Sequence, residues 1–377
     1  MKNFDELLKK YADFIVRVGV NPQPGQTLII NCCLEAAPLA RLCVRSAYEA
    51  GARDVLVNWS DNTVARTRME LGSEEALTDT KSWQLRRYLD YAESEGGVCV
   101  LHILADDPEI YAGLDGAKIS RVNAANRKFM APWREYTMND KVQWSIAAMP
   151  SAPWAKKMFP ELDTDAAIEK LWQLIFDVCR VTNGDPVSEW KAHLNRLMTL
   201  RDKMNALDLE SIHFESSNGT DLTVGLADKA SWESAGSKNE KGVDFLPNIP
   251  TEEVFTAPHK DKVNGIVYGT KPYVFNGQLI KGFHVIFKDG KVIEHGAVEG
   301  ADLLGQLLDT DEGSRHIGEV ALVPASSPIN RSGALFYSTL FDENAACHIA
   351  FGASYPGTTE GGTGLTKEQL LERGMNQ

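Results

Sequence analysis

The sequence predicts an α/β protein in two parts: an N-terminal α/β domain on a parallel sheet, residues 1–205, and a strand-rich α+β C-terminal domain, residues 206–377. Three observations lead there. The 377 residues, set against roughly 150 residues per domain, favour two domains. Short apolar runs alternate with amphipathic helical patterns through the first half, the texture of a parallel sheet covered by helices on both faces. Near residue 205 that alternation stops, and short strands joined by Asn-Gly and Asp-Gly turns replace it.

Phe4, Leu7, Leu8, Tyr11, Phe14, Ile15 and Val18 recur at intervals of three and four, so a helix with one buried face is expected there. Gly19 and the Pro22/Pro24 pair are expected to end it. An apolar run from Thr27 to Asn31, a helical pattern from Ala36 to Ala50 closed by Gly51, and a run from Asp54 to Trp59 make one βαβ unit. The pattern returns with a polar helix from Thr80 to Glu95, a run from Val98 to Leu104, a helix from Ser120 to Glu135 and a run from Trp144 to Met149. Helices over 165–179 and 187–205 close the first half. In the second half, runs at 211–216 and 221–225 flank Asn218-Gly219, and runs at 283–287 and 291–295 flank Asp289-Gly290. Both dipeptides accept positive φ and make tight hairpins. Glycine is dense from 352 to 364, where a loop is expected.

Hydrophobic residues at 43% with 24% charged exclude extended disorder. The net charge of −13 argues against nucleic acid and anionic membrane as partners, because phosphate-rich surfaces are bound by positive faces. Six cysteines, at 32, 33, 43, 99, 179 and 347, show no CxxC spacing and read as buried thiols. The chain runs from Met1 directly into Lys2, Asp5 and Glu6, and the expected compartment is the reducing cytoplasm. The GxGxxG, GxxxxGK[ST], HExxH and GxSxG patterns are missing, so nucleotide-binding, zincin and α/β-hydrolase readings lose their sequence support.

The chemistry-bearing residues lie after 248. In Asn248-Ile249-Pro250-Thr251-Glu252-Glu253-Val254-Phe255 two adjacent carboxylates interrupt an apolar segment. Adjacent glutamates are ordinarily a solvated pair, but a carboxylate facing a core must be paired or metal-bound. Extended backbone sends neighbours to opposite faces, so one of Glu252 and Glu253 faces any given site. Glu319 opens an apolar run, and Glu343 and His348 sit among small residues. Carboxylates with an imidazole suit Zn²⁺, Mn²⁺ or Co²⁺, although these separations obey no ligand-spacing rule.

The segments NIPTEEVFTAP, KPYVFNGQLIKGF, IGEVALVP and SSPINRSGALFYSTLFDENAACHIAFGASY resemble the M29 family of metallo-aminopeptidases, thermophilic aminopeptidase T and its bacterial relatives, over nearly the whole chain. The resemblance implies hydrolysis of the N-terminal residue from peptides at a site of two divalent ions, zinc, cobalt or manganese. It places Glu253, Glu319 and His348 on metal ligands, with Glu319 bridging, and Tyr355 beside the scissile carbonyl. Glu343 is a further acidic candidate and Glu252 a weak candidate for the base; Asn330 and Arg331 either bind substrate or cap a turn. The family also carries a His and an Asp downstream of the Gly-rich loop, and this chain stops at Gln377 before such a motif, so a truncated C-terminal domain is expected. A homodimer is implied as well, with Trp133, Trp144, Trp154 and Phe159 forming either an apolar contact patch or core. The alternatives are a peptide-binding scaffold of the same fold with an incomplete metal site, and a nucleotide-binding protein using its parallel sheet.

Overall fold

In the parallel sheet, a computed structural model that describes residues 1–105 and 107–377 orders the strands Asp54–Ser60, Thr27–Cys33, Val98–Leu104, Trp144–Ala148. The two inner strands are apolar on both faces because each face meets a different core. Leu28, Ile30, Cys99 and Leu101 join a core with helices Phe4–Phe14, Ala37–Glu49 and Thr164–Val178. Ile29, Val98 and Val100 point the other way, against Trp133 and the helix Trp83–Ala92. Each such side chain contributes about 1.5–3 kcal/mol on burial.

The first helix does not stop at Gly19. It continues as one π-helical turn, Ile15–Val20, and ends at Asn21, whose φ is 46°. Gly19 is instead a contact point: a Cβ there would lie 2.8 Å from Ile249 Cδ1. The helix expected over 120–135 is two, Gly116–Phe129 and Ala131–Met138, the second opened by Pro132 in its first turn. Helices Asn62–Leu71, Glu74–Thr78 and Ala152–Met158 were not anticipated, since the first two are polar and the third is a short segment.

After 206 a five-stranded antiparallel sheet runs Lys291–Gly296, His284–Lys288, Pro258–Tyr268, Asp221–Leu226, Ser211–Glu215. Both expected hairpins are present, with Gly219 at φ 98° and Asp289-Gly290 at φ 49° and 80°. A second antiparallel sheet orders His348–Phe351, Ile317–Leu322, Val254–Thr256, Glu233–Ser234. The Gly-rich stretch holds two short 3₁₀ turns, Pro356–Thr358 and Gly362–Gly364.

The two halves share a core. Leu246, Ile249, Ile329, Phe336, Leu340 and Phe341 bury among N-terminal residues. Ile249 also extends the parallel sheet, its N–H donating to the Ile146 carbonyl at 2.9 Å. Trp133, Trp154 and Phe159 are buried and Trp144 anchors its indole N–H on the Thr137 carbonyl at 3.0 Å, so these four form no surface patch. Five cysteines are buried; Cys347 is exposed, because it ends a turn beside a cavity instead of entering the core. Among the described residues no helix is long and apolar enough to cross a membrane.

Candidate metal centre

The smaller sheet has a core face and a site face. Val254, Val320, Ile349 and Phe351 enter the core of the C-terminal half. Alternation therefore turns Phe255, Glu319, Ala321, His348 and Ala350 outward, with Glu253 just before the strand on the same side. Ala321 lies between His348 and Phe255 in register, and Ala350 faces Glu319. These small residues leave room above the sheet for the longer side chains to converge.

They do converge. Among the described residues, donor atoms of Glu253, Glu319 and His348 lie within 4.8 Å of one another. His348 Nε2 is 3.1 Å from Glu253 Oε2 and 3.6 Å from Glu319 Oε1. Glu253 is 6% exposed. At 3.1 Å the Glu253 and His348 atoms are not aligned as donor and acceptor, and neither makes a hydrogen bond elsewhere. His348 Nδ1 lies 3.0 Å from the Ala346 carbonyl, which only accepts, so Nδ1 carries a proton and Nε2 is the ring atom turned to the carboxylates. Two carboxylates and one such imidazole aimed at a common buried point fit a divalent cation.

The electrostatics agree. Burial pushes the Glu319 carboxyl up, His348 pulls it back and Glu253 raises it again. Glu343 is pushed well above its ordinary value by burial and then by Glu253. Burial works against charge on His348, but Glu253 and Glu319 override it and drive the imidazole well up. Carboxylates that raise one another in this way are the setting that a bound cation relieves.

Glu252 and Glu253 face apart, as extended backbone requires. Glu252, 3% exposed, is ion-paired to Arg180 at 2.6 Å and lies 3.6 Å from His193. Its N–H donates to Asn344 Oδ1 at 2.7 Å, and His193 Nε2 lies 2.8 Å from the Thr251 carbonyl. Glu252 thus braces the ligand loop from behind and is held away from the site. Asn330 ties its own turn, its Nδ2 donating to the Ala325 carbonyl at 3.0 Å, and neither it nor Arg331 reaches the cavity. Nothing in the sequence marked Arg180, His193 or Asn344, because their partners are brought in by the fold.

A cavity of about 1020 Å³ opens over the site and is lined by Glu319, Glu343, His348 and Tyr355. Glu343 lies outside the close triad. Tyr355 stands edge-on to Phe255, ring centroids 6.2 Å apart, and burial followed by Glu319 and Glu343 pushes its phenol far up, keeping it a proton donor. The lining also includes Arg127, Arg134 and Met138 from the N-terminal half.

A family model described as thermophilic metalloprotease (M29) matches residues 4–377. Aminopeptidase 2 of Geobacillus stearothermophilus is 43% identical over 376 residues, covering 100% of this chain and 90% of that protein. Aminopeptidase T of Thermus aquaticus is 39% identical over 377 residues, covering 100% of this chain and 91% of its own. Among solved structures, wild-type AmpT from Thermus thermophilus superposes with a TM-score of 0.89 at 37% identity, over 99% of this chain and 91% of that one.

Proposed function

The chain belongs to the thermophilic metalloprotease (M29) family and is a metal-dependent aminopeptidase, and from that premise we propose that it removes the N-terminal residue of peptides at a two-ion site. Glu253, Glu319 and His348 would hold the metal, with Glu319 as the ligand common to both ions and Glu343 as the further acidic group. Zinc, cobalt or manganese bound there would supply a water of lowered pKa and polarise the scissile carbonyl. The remaining work falls to side chains. Carboxylates in the pocket receive the substrate's free α-ammonium, which confines cleavage to the first residue. Tyr355, kept protonated, donates to the developing oxyanion, and Phe255 holds its ring in place.

The observation that carries this reading is the buried, mutually unsatisfied pair Glu253 Oε2 and His348 Nε2. Its test is hydrolysis of leucine p-nitroanilide by chelator-treated protein before and after Zn²⁺, Mn²⁺ or Co²⁺ is restored, with melting temperature followed in parallel. Activity and added thermal stability should both return with metal, and Glu253→Gln should lose both. Full activity in chelator, or an undiminished metal response in Glu253→Gln, overturns it. The protein acts as a cytoplasmic homodimer on this reading; a monomer mass by light scattering removes the dimer.

A further inference from the structure

The cavity has a charged wall that peptide-bond cleavage leaves unused. Arg127, near the end of Gly116–Phe129, and Arg134, on Ala131–Met138, line it together with Glu319, Glu343 and Tyr355. Elsewhere arginines near carboxylates are paired, Arg121 with Glu74 at 2.8 Å and Arg180 with Glu252 at 2.6 Å. Among the described residues Arg127 and Arg134 enter no ion pair.

The two guanidinium groups are close enough to act on one another. Burial lowers Arg134 below its ordinary value, Arg127 lowers it further, and Tyr355 works in the opposite direction. Arg127 likewise restrains the Tyr273 phenol, which burial and Glu343 push up. Two exposed guanidinium groups that line one cavity and enter no ion pair among the described residues offer a position that a carboxylate completes, since a guanidinium offers paired N–H donors that match its two oxygens.

We propose that Arg127 and Arg134 form a carboxylate subsite that holds the C-terminal carboxylate of a short peptide while its N-terminal residue lies over Glu253, Glu319 and His348. The inference rests on the aminopeptidase reading and adds a substrate class, short unblocked peptides. The cavity of about 1020 Å³ reaches both groups and is of small-ligand size, so both ends of a short peptide fall within it. An acidic side chain presents the same chemistry, and the test separates the two sources.

On metal-restored protein, kcat/KM is compared for Leu-Gly-Gly and Leu-Gly-Gly-amide. The free acid should be favoured by about 10-fold or more, chiefly through KM, equivalent to about 1.4 kcal/mol. Arg127→Met and Arg134→Met should each bring the acid-to-amide ratio toward one, the amide serving as internal reference for folding. An acid-to-amide ratio near one in the unaltered protein, or one that survives both substitutions, overturns the subsite. A preference confined to Leu-Gly-Asp-amide over Leu-Gly-Asn-amide assigns the arginines to side chains and overturns the C-terminal assignment. Calorimetric binding of the same peptides to metal-free protein keeps the two readings apart. Tighter binding of the acid with no hydrolysis after metal is restored sinks the aminopeptidase and leaves the subsite; hydrolysis by the metal-restored protein with equal binding does the reverse.

Discussion

Arg180→Met tests the brace behind the candidate metal ligands. The substitution keeps most of the side-chain bulk and removes the cation 2.6 Å from a carboxylate that is 3% exposed. Glu252 must then remain charged without its partner or take up a proton. From its ordinary pKa of 4.5, proton uptake at pH 7 costs about 3.4 kcal/mol at 1.36 kcal/mol per unit. That cost limits the penalty and falls in the range of about 3–5 kcal/mol seen when a buried pair loses one member. His193 offers partial relief from 3.6 Å away, but burial is the first cause of its depressed pKa and persists without Arg180. Urea unfolding at pH 7 should show a loss of about 3 kcal/mol. Adding Glu252→Gln should recover more than half of it. The sign with pH is fixed: losing Arg180 raises the Glu252 pKa further, so the variant is least handicapped below 4.5 and loses stability as pH rises from there. Because Glu252 adjoins Glu253, metal affinity should also fall, by about 10–100-fold as for other supporting residues. A single-variant loss under about 1 kcal/mol, or a double variant as unstable as the single, refutes the reasoning.

Tyr355→Phe should lower kcat by about 10²–10³-fold, the cost of one oxyanion donor, while metal content by atomic absorption stays the same; an unchanged kcat removes Tyr355 from the chemistry. His193 is held down to about 3, first by burial and then by Arg180, so it is neutral in the fold and protonated once unfolded below about 6.5. Its contribution is complete above that value and is lost as pH falls toward 3, at about 1.4 kcal/mol per pH unit. Urea unfolding at pH 6.5 and 5.5 should therefore show a steeper acid loss for the unaltered protein than for His193→Asn, and equal slopes would rule this out.

Local chemistry was legible in the sequence; partnership was not. Asn218-Gly219 and Asp289-Gly290 announce their hairpins because a two-residue turn depends on its own φ angles. Alternation separates Glu252 from Glu253 without any tertiary knowledge. The helix pattern at 4–18 likewise marks its buried face, yet gives no sign that Gly19 stays helical, since Gly19 is shaped by Ile249 far along the chain. Arg180 belongs to the same class: its role is set by Glu252, which reaches it only after the loop at 247–249 joins the parallel sheet. Nothing in the sequence marks Arg127 and Arg134 either, because only the fold brings them into the lining of one cavity with Glu343 and Tyr355.

The convergence of Glu319 with His348 depends on one irregularity. Ile317 and Val320 are three apart and would face opposite ways in a regular strand, yet both enter the same core. The register with His348–Phe351 shifts between Ile317 and Glu319, so Gly318 is the extra residue of a bulge that lets both be buried. Gly318 is required sterically, since a Cβ there would lie 2.2 Å from the Gly352 carbonyl oxygen. Without the bulge the strand could bury Ile317 or aim Glu319 at His348, but not both, because a one-residue slip exchanges the faces of every later side chain. The glycine before Glu319 is thus as much a part of the candidate metal centre's geometry as the carboxylate it positions.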